Sequence, residues 1–323
     1  MEYRRLGNSN IEVSALSLGS WKTFEFMSEP DGLAVISRAV DAGINFLDDA
    51  RYDDTTGKAP LPTGYSEVVF GNLLRAGGFA RDELFISNRM WFEFYPDQSF
   101  EAEIDGSLER IGIDHFDLVF CFHPPQALSA EELVSKLAAL VATGKIRYWA
   151  PGNWPVELIA ECCEIAIRTG APLPPAAMMP YAVSIKSFVE NTAMEDVCRK
   201  YDIALVASFG LQGGLLTGKY NTSNAETVRY DESQIDSFAK TGALEAVANF
   251  MQLAKQSGCS PARLAYAYCL RHPLVASVLF GATSTAQIDE NISALDVRID
   301  DDLLRKLKNV FTQDVRLPIE ESE

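Results

Sequence analysis

Histidine, paired cysteine and positive charge are all scarce in this sequence, and each shortage removes a class of function. Only three histidines occur among 323 residues, and no C-x-x-C pair appears among the six cysteines Cys121, Cys162, Cys163, Cys198, Cys259 and Cys269. The ligand spacing of a Cys/His zinc site is therefore missing, and no metal is expected. Lys plus Arg number 28 against 45 for Asp plus Glu, a net charge of −17. A surface that binds nucleic acid or an anionic membrane needs a basic stripe, so neither is expected as a partner. The deficit says nothing against a small anionic ligand held in a local basic pocket. No apolar run approaches the ~18 residues of a membrane span. The opening MEYRRLGNSN lacks the apolar centre of a secretory signal. The cysteines sit inside apolar patterns and read as reduced core residues of a cytoplasmic protein. No G-x-G-x-x-G follows the first strand pattern, so a Rossmann fold would lack its phosphate loop.

What is present is ample core material, with 47% apolar and 23% charged residues. Eight short β-rich runs are expected as strands: Val13–Ser20, Asn45–Ala50, Leu84–Arg89, Leu118–His123, Arg147–Asn153, Ala177–Tyr181, Ala204–Phe209 and Val278–Ala282. Helical patterns lie between them, over Gly32–Ala42, Ser66–Leu74, Glu131–Ala142, Val156–Arg168 and Met194–Lys200. Leu244–Gln256 and Ala262–Leu270 both precede the last strand. Ser129 with Glu132 three residues on is a capping-box signal. Strict alternation implies parallel strands with helical crossovers, and eight units imply closure. The expected fold is one (β/α)8 TIM barrel domain over residues 1–323, with an N-terminal β-hairpin and extra C-terminal helices. Glu2–Glu12 reads as that hairpin, turning at Gly7-Asn8-Ser9-Asn10 and placed to plug the N-terminal end of the barrel. Asp53–Thr63 and Asn221–Gly242 read as irregular segments on the catalytic face. The tail from Thr312 on reads as irregular or as crossing that face.

In such a barrel the strand C-termini carry the chemistry. Here they offer Asp48-Asp49, Asn88-Arg89, His123 and Asn153, with tyrosines on the loop after the second strand. An acid, a cation, an imidazole and a phenol at one mouth form a proton-transfer constellation. Each residue also has a plainer reading. Asp48 and Arg89 equally suit a structural ion pair, and His123 before Pro124-Pro125 suits a satisfied histidine. Asp49, Asp53 and Asp54 suit a solvated acidic loop.

These segments together resemble the aldo-keto reductase family, in its longer-chain, potassium-channel β-subunit-like branch, from about Tyr3 to Leu307. Glu2–Gly7 resembles the opening hairpin strand, and Leu18-Gly19-Ser20-Trp21 the first barrel strand. Gly43-Ile44-Asn45-Phe46-Leu47-Asp48-Asp49-Ala50 is similar to G-x-N-F-x-D-T-A. Ser66-Glu67 with Gly71 is similar to S-E-x-x-x-G, and Asp117-Leu118 with His123-Pro124 to D-L-x-x-x-H at a spacing one residue longer. Gly144-Lys145-Ile146-Arg147 leading to Asn153 resembles G-K-I-R-x-x-G-x-S-N. Gly214–Tyr220 resembles G-L-L-T-G-K-Y, and Gly281–Asn291 resembles G-A-S-x-x-x-Q-x-x-E-N.

The resemblance implies NADP(H)-dependent reduction of an aldehyde or ketone, or the reverse, through an Asp–Tyr–Lys–His tetrad. Asp48 takes the aspartate position and His123 the histidine position. Arg89 stands where the family has lysine. It keeps the charge and can fork onto Asp48, but it cannot share a proton. The tyrosine is Tyr52, one residue early, or Tyr65, beyond an insertion; Tyr52 leaves the strand most directly and is favoured. On the cofactor side the resemblance implicates Trp21, Asp48, Asn153, Met178, Ser208 and the turn Phe209, Gly210, Leu211, Gln212 and Gly213. It further implicates Lys219, Gly281, Thr283, Gln287, Glu290 and Asn291. Gly152, Met178 and Ser208 replace the family's serine, glutamine and stacking aromatic. Trp21, Trp91 and Phe92 are expected to line the substrate pocket. Two other functions remain open: a cofactor-binding regulatory or scaffold protein with weak or no turnover, and a redox-neutral epimerase-type use of the cofactor.

Overall fold

Alternating apolar runs become strands and amphipathic runs become helices, in an order that closes a ring. The computed structural model describes residues 1–221 and 230–315. A short antiparallel hairpin, β1 (Tyr3–Arg5) with β2 (Glu12–Ser14), comes first. Eight parallel strands follow: β3 (Leu16–Gly19), β4 (Phe46–Asp48), β5 (Phe85–Met90), β6 (Phe116–Cys121), β7 (Ile146–Pro151), β8 (Ala176–Pro180), β9 (Ala204–Ser208) and β10 (Val275–Phe280). Their order around the sheet is β7-β6-β5-β4-β3-β10-β9-β8. The remaining seam is bridged by a parallel pair, Gly152 with Met178, where the Asn153 N–H donates to the Met178 carbonyl at 3.0 Å. The expected (β/α)8 barrel with its N-terminal hairpin is thus the observed one.

The strand alternation sorts side chains into two cores. Phe46, Phe85, Leu118, Phe120, Phe122, Ala150, Ala176, Met178, Ala204, Val206 and Ala276 form a buried cluster together with Leu6 and Val13 of the hairpin. The hairpin therefore seals the N-terminal end of the barrel, as expected. Gly7 is obligatory at its turn. It has φ +50°, and a Cβ there would stand 2.0 Å from the Pro175 carbonyl oxygen. Asn45 clamps the hairpin to β4, accepting from Ser14 N–H at 2.7 Å and donating to the Glu12 carbonyl at 3.1 Å. Asp117, nearly fully buried, ties three strands: it accepts from Ile86 N–H at 2.8 Å, Arg81 at 2.8 Å and Arg147 at 2.9 Å.

The helical shell comprises α1 (Glu29–Asp41), α2 (Tyr65–Gly77), α3 (Phe100–Ile111), α4 (Ala130–Ala142), α5 (Val156–Thr169), α6 (Thr192–Tyr201), α7 (Glu232–Lys240), α8 (Ala243–Gln256), α9 (Pro261–Leu270), α10 (Thr285–Ile292) and α11 (Asp301–Val310). Ser28, Ser99, Ser129, Ser260 and Ser284 cap five of them by accepting a first-turn N–H, and Ser129 with Glu132 closes the expected capping box. Part of the segment expected to be irregular, Asn221–Gly242, is instead α7, opened by a capping box between Asp231 and Gln234. Residues 222–229 lie outside the described residues, as does the tail beyond Val315. Up to Val315 the tail lies against the segment that follows β8, at the C-terminal end of the barrel: Val315 N–H donates to Ser184 O at 2.8 Å, and the Asp314 carboxylate accepts the N–H groups of Lys186 and Ser187 at 2.9 Å each. Among the described residues no helix is long and apolar enough to cross a membrane.

Candidate active site

At the C-terminal mouth the inward positions of three adjacent strands meet. Asp48 ends β4, Arg89 lies near the end of β5, and Phe122 directly follows β6. Asp48 is fully buried. One of its oxygens accepts from Arg89 Nη2 at 3.0 Å and the other from Ser87 Oγ at 2.5 Å. The fork expected between Arg89 and Asp48 is therefore a single bond, and Ser87 donates to the other carboxylate oxygen. The guanidinium carbon of Arg89 stands 5.5 Å from the ring of Tyr52, 6.0 Å from Trp91 and 5.4 Å from Phe122. It is a cation in an aromatic cage, anchored by one carboxylate. Two donors in this cage, the Tyr52 hydroxyl and Arg89 Nε, are buried without a hydrogen-bond partner. Burial pushes the Tyr52 phenol well above its ordinary value, and the Arg89 charge opposes that only in part. Burial also raises Asp48, against the pull of Arg89 and Ser87. The phenol is thus held protonated at neutral pH, as an acid without an acceptor.

The loop after β4 explains how Tyr52 comes to be there. Gly64 N–H donates to Tyr52 O at 2.8 Å, Asp54 N–H to Pro62 O at 2.8 Å, and Asp53 bridges Thr63. The insertion is pinched at its base and leaves Tyr52 at the mouth. Tyr65 opens α2, half-buried, and among the described residues its side chain takes part in no hydrogen bond or ring contact. Arg51 holds the rim, donating to Thr63 at 2.9 Å and to Glu93 at 2.6 Å, while its carbonyl accepts from Trp91 Nε1 at 3.0 Å. Glu103 of α3 accepts the N–H groups of Trp91 at 2.8 Å and Phe92 at 3.2 Å, and so fixes the turn after β5.

Three expectations need correction. His123 does not join Asp48, Tyr52 and Arg89. It is exposed, at φ +50° in the turn after β6, and the mouth position belongs to Phe122. The reason is strand phase: Leu118, Phe120 and Phe122 share the inner face, so a neighbour one residue on faces away. Phe92 does not line the pocket. It packs in the helical shell, with its ring 4.7 Å from Phe100. Asp49 belongs to no solvated loop. It is fully buried, accepts from Ser20, and is pushed well above the usual carboxylate range, first by burial and then by Glu67. Phe122 was legible in the alternation of β6; Ser87, Glu103 and Arg51 carry no sequence signal of a role. Among the described residues no group of three or more His, Cys, Asp and Glu side chains is placed to hold a metal ion.

The opposite arc of the mouth, after β7 to β10, holds a buried polar side chain and several left-handed backbone positions. Ser208 Oγ, at the end of β9, is buried without a partner. Phe209 follows at φ +58°, its ring 5.8 Å from Trp21. Gly210 is buried, and Leu211 precedes a 3-10 turn over Gln212–Thr217. Inside that turn Gly213 and Gly214 are both left-handed, at φ +59° and +91°. A Cβ on Gly214 would stand 2.8 Å from Lys219 Nζ, so the ammonium lies directly over a bare backbone. Asn153 is exposed at φ +59°, and Met178 is buried inside the barrel. After β10, Gly281 is exposed and Ser284 caps α10. Thr283 N–H donates to Gln287 Oε1 at 2.7 Å, Glu290 is exposed and Asn291 is buried. Gln212 is different: its side chain accepts from Ser184 at 2.8 Å and donates to Val315 O at 3.0 Å, so it fastens the tail.

The chain matches the model of the aldo/keto reductase family over residues 15–311. It is 30% identical over 310 residues to a protein of Oryza sativa subsp. japonica named probable voltage-gated potassium channel subunit beta, covering 92% of each chain. An Arabidopsis thaliana protein of the same name is 29% identical over 310 residues, again at 92% of each. The L-glyceraldehyde 3-phosphate reductase of Escherichia coli O157:H7 is 30% identical over 312 residues, covering 92% of this chain and 88% of the reductase.

Proposed function

Because the chain belongs to the aldo/keto reductase family, we propose that it is an oxidoreductase that reduces an aldehyde or ketone to the alcohol, or runs the reverse, with NADP(H) as hydride carrier and Tyr52 as proton donor. The observation that carries the reading is the Tyr52 hydroxyl: buried and without an acceptor, beside the Arg89–Asp48 pair at a barrel mouth. A substrate carbonyl oxygen supplies the missing acceptor. The nicotinamide, when bound, supplies a hydride to the carbonyl carbon. Tyr52 gives its proton to the oxygen, and the resulting phenolate is met by the Arg89 cation until water reprotonates it. Asp48 keeps that cation in place, and the rings of Trp91 and Phe122 exclude water around it. The rim adds exposed Phe26 and Phe94, which suits an apolar or aromatic substrate. Ser208, the Gly213–Gly214 turn, Lys219 and the α10 N-terminus are the residues that would hold the cofactor, its diphosphate against Lys219 and the bare glycine backbone. All six cysteines are unpaired, in keeping with a cytoplasmic setting.

The test is direct. NADPH titrated into the protein should quench its fluorescence saturably, and a panel of aldehydes and ketones should then consume NADPH in steady state. Absence of binding at millimolar NADPH and NADH would overturn the whole reading. A clear preference for NADH would overturn only the choice of NADP. Saturable binding without turnover would favour the regulatory reading, which the names of the two plant relatives support.

A further inference from the structure

An oxygen that gathers negative charge during reduction is best held by two preorganised donors. At this mouth the side chain facing inward after β6 is Phe122, which has no donor, while His123 is exposed in the turn that follows. Tyr52 is one donor. It does not donate to Asp48, whose oxygens accept from Ser87 and Arg89, and its hydroxyl is buried without a partner. Arg89 spends Nη2 on Asp48, and its Nε remains buried without a partner. The same guanidinium lies 5.5 Å from the Tyr52 ring. We propose that Arg89 is a catalytic residue in its own right: its free N–H donates to the substrate oxygen alongside the Tyr52 hydroxyl, and supplies the hydrogen bond that Phe122 cannot. This rests on the reduction proposed above.

The chemistry balances without a further reagent. The carbonyl carbon gains the hydride and its oxygen gains the Tyr52 proton, while Arg89 keeps all its protons because its pKa lies beyond about 12. Charge moves from oxygen to the Tyr52 phenolate, and both stand beside the same cation. The guanidinium spends Nη2 on Asp48, which leaves Nε for the substrate oxygen.

The experiment compares Arg89→Lys with the wild type, using 4-nitrobenzaldehyde for turnover at saturating NADPH and 4-nitrobenzamide as a non-reducible carbonyl probe read by tryptophan fluorescence. Arg89→Lys keeps the cation and loses the planar fork. It should lower kcat by about 10²-fold, the usual loss for one oxyanion donor, and weaken benzamide binding about tenfold, with NADPH affinity within about twofold. Adding Phe122→His should restore turnover by at least about tenfold more in Arg89→Lys than the same change gives in the wild type, a coupling expected only if both side chains serve one oxygen. Wild-type kcat and benzamide affinity in Arg89→Lys, or equal gains from Phe122→His in both backgrounds, would overturn the inference. If Arg89→Lys loses NADPH binding by failing to fold, Arg89→Met carries the test: with the guanidinium N–H gone, benzamide binding should weaken about tenfold, and an unchanged benzamide affinity would overturn the inference. The two levels separate cleanly. A dead Tyr52→Phe beside a fully active Arg89→Lys removes only the second donor, whereas a fully active Tyr52→Phe removes the reduction reading itself.

Discussion

Asp48 and Asp49 are consecutive residues with opposite surroundings. Asp48 faces the barrel mouth and meets a cation, whereas Asp49 is buried near the Glu67 carboxylate with one oxygen unpaired. Burial, then Glu67, push Asp49 well above the carboxylate range, while Ser20 and the Ala50 N–H pull it back only in part. A folded-state pKa above the unfolded one means that folding takes up a proton. Stability is then complete below the unfolded value near 3.8 and falls as pH rises toward the folded value. Asp49→Asn removes that loss, so its melting temperature should exceed the wild type by about 3 °C at pH 8 and by less at pH 5. Thermal melts of both proteins across that range check the sign; a gap that widens toward acid would contradict it. Residues of this kind mark the limit of sequence reading. Asp48, Tyr52 and Arg89 were legible because strand ends and loop starts are fixed by alternation. His123 was misplaced because a one-residue shift at the end of β6 exchanges inner and outer faces. Asp49 looked like the first of three loop acids, and only the packing of α2 over the strand end shows otherwise.

At the scale of elements, the strands and the longer helices followed from periodicity, because burial on one face demands it. Helix α3 was absent from the expectations although Phe100, Ile104, Leu108 and Ile111 mark its buried face and Ser99 its cap. Its many acidic residues and Gly106 obscure the pattern. Yet α3 carries Glu103, which fixes the turn behind Trp91, and its end receives α2. Gly71 of α2 sits against that end, where a Cβ would come within 2.0 Å of the Ile111 carbonyl oxygen. Ala in place of Gly ordinarily favours a helix by ~1 kcal/mol. Here the contact is backbone on backbone, and overpacking should win. Gly71→Ala should destabilise by about 3 kcal/mol, seen as a lower urea midpoint with an unchanged m-value. An unchanged midpoint would show that α2 and α3 slide apart freely. The insertion before α2 behaves in the opposite way. Its length was plain from the sequence, but the Tyr52–Gly64 pinch that settles where each tyrosine goes was not.

Over the whole molecule, stability and chemistry occupy opposite ends. The hairpin, Asn45 and Asp117 secure the N-terminal end, where Leu6 and Val13 complete the inner core. The unpaired donors of Tyr52, Arg89 and Ser208 gather at the other end. That division leaves the residues at the mouth free to vary while the barrel holds. The central claim is that the Tyr52 hydroxyl is the proton donor, and single-turnover hydride transfer tests it most directly. With NADPH prebound and 4-nitrobenzaldehyde mixed in by stopped flow, Tyr52→Phe should slow NADPH oxidation by about 10²- to 10⁴-fold. NADPH affinity should stay close to the wild type, since the ring and its packing against Arg89 and Trp91 are kept. A Tyr52→Phe protein that oxidises NADPH as fast as the wild type would contradict the account.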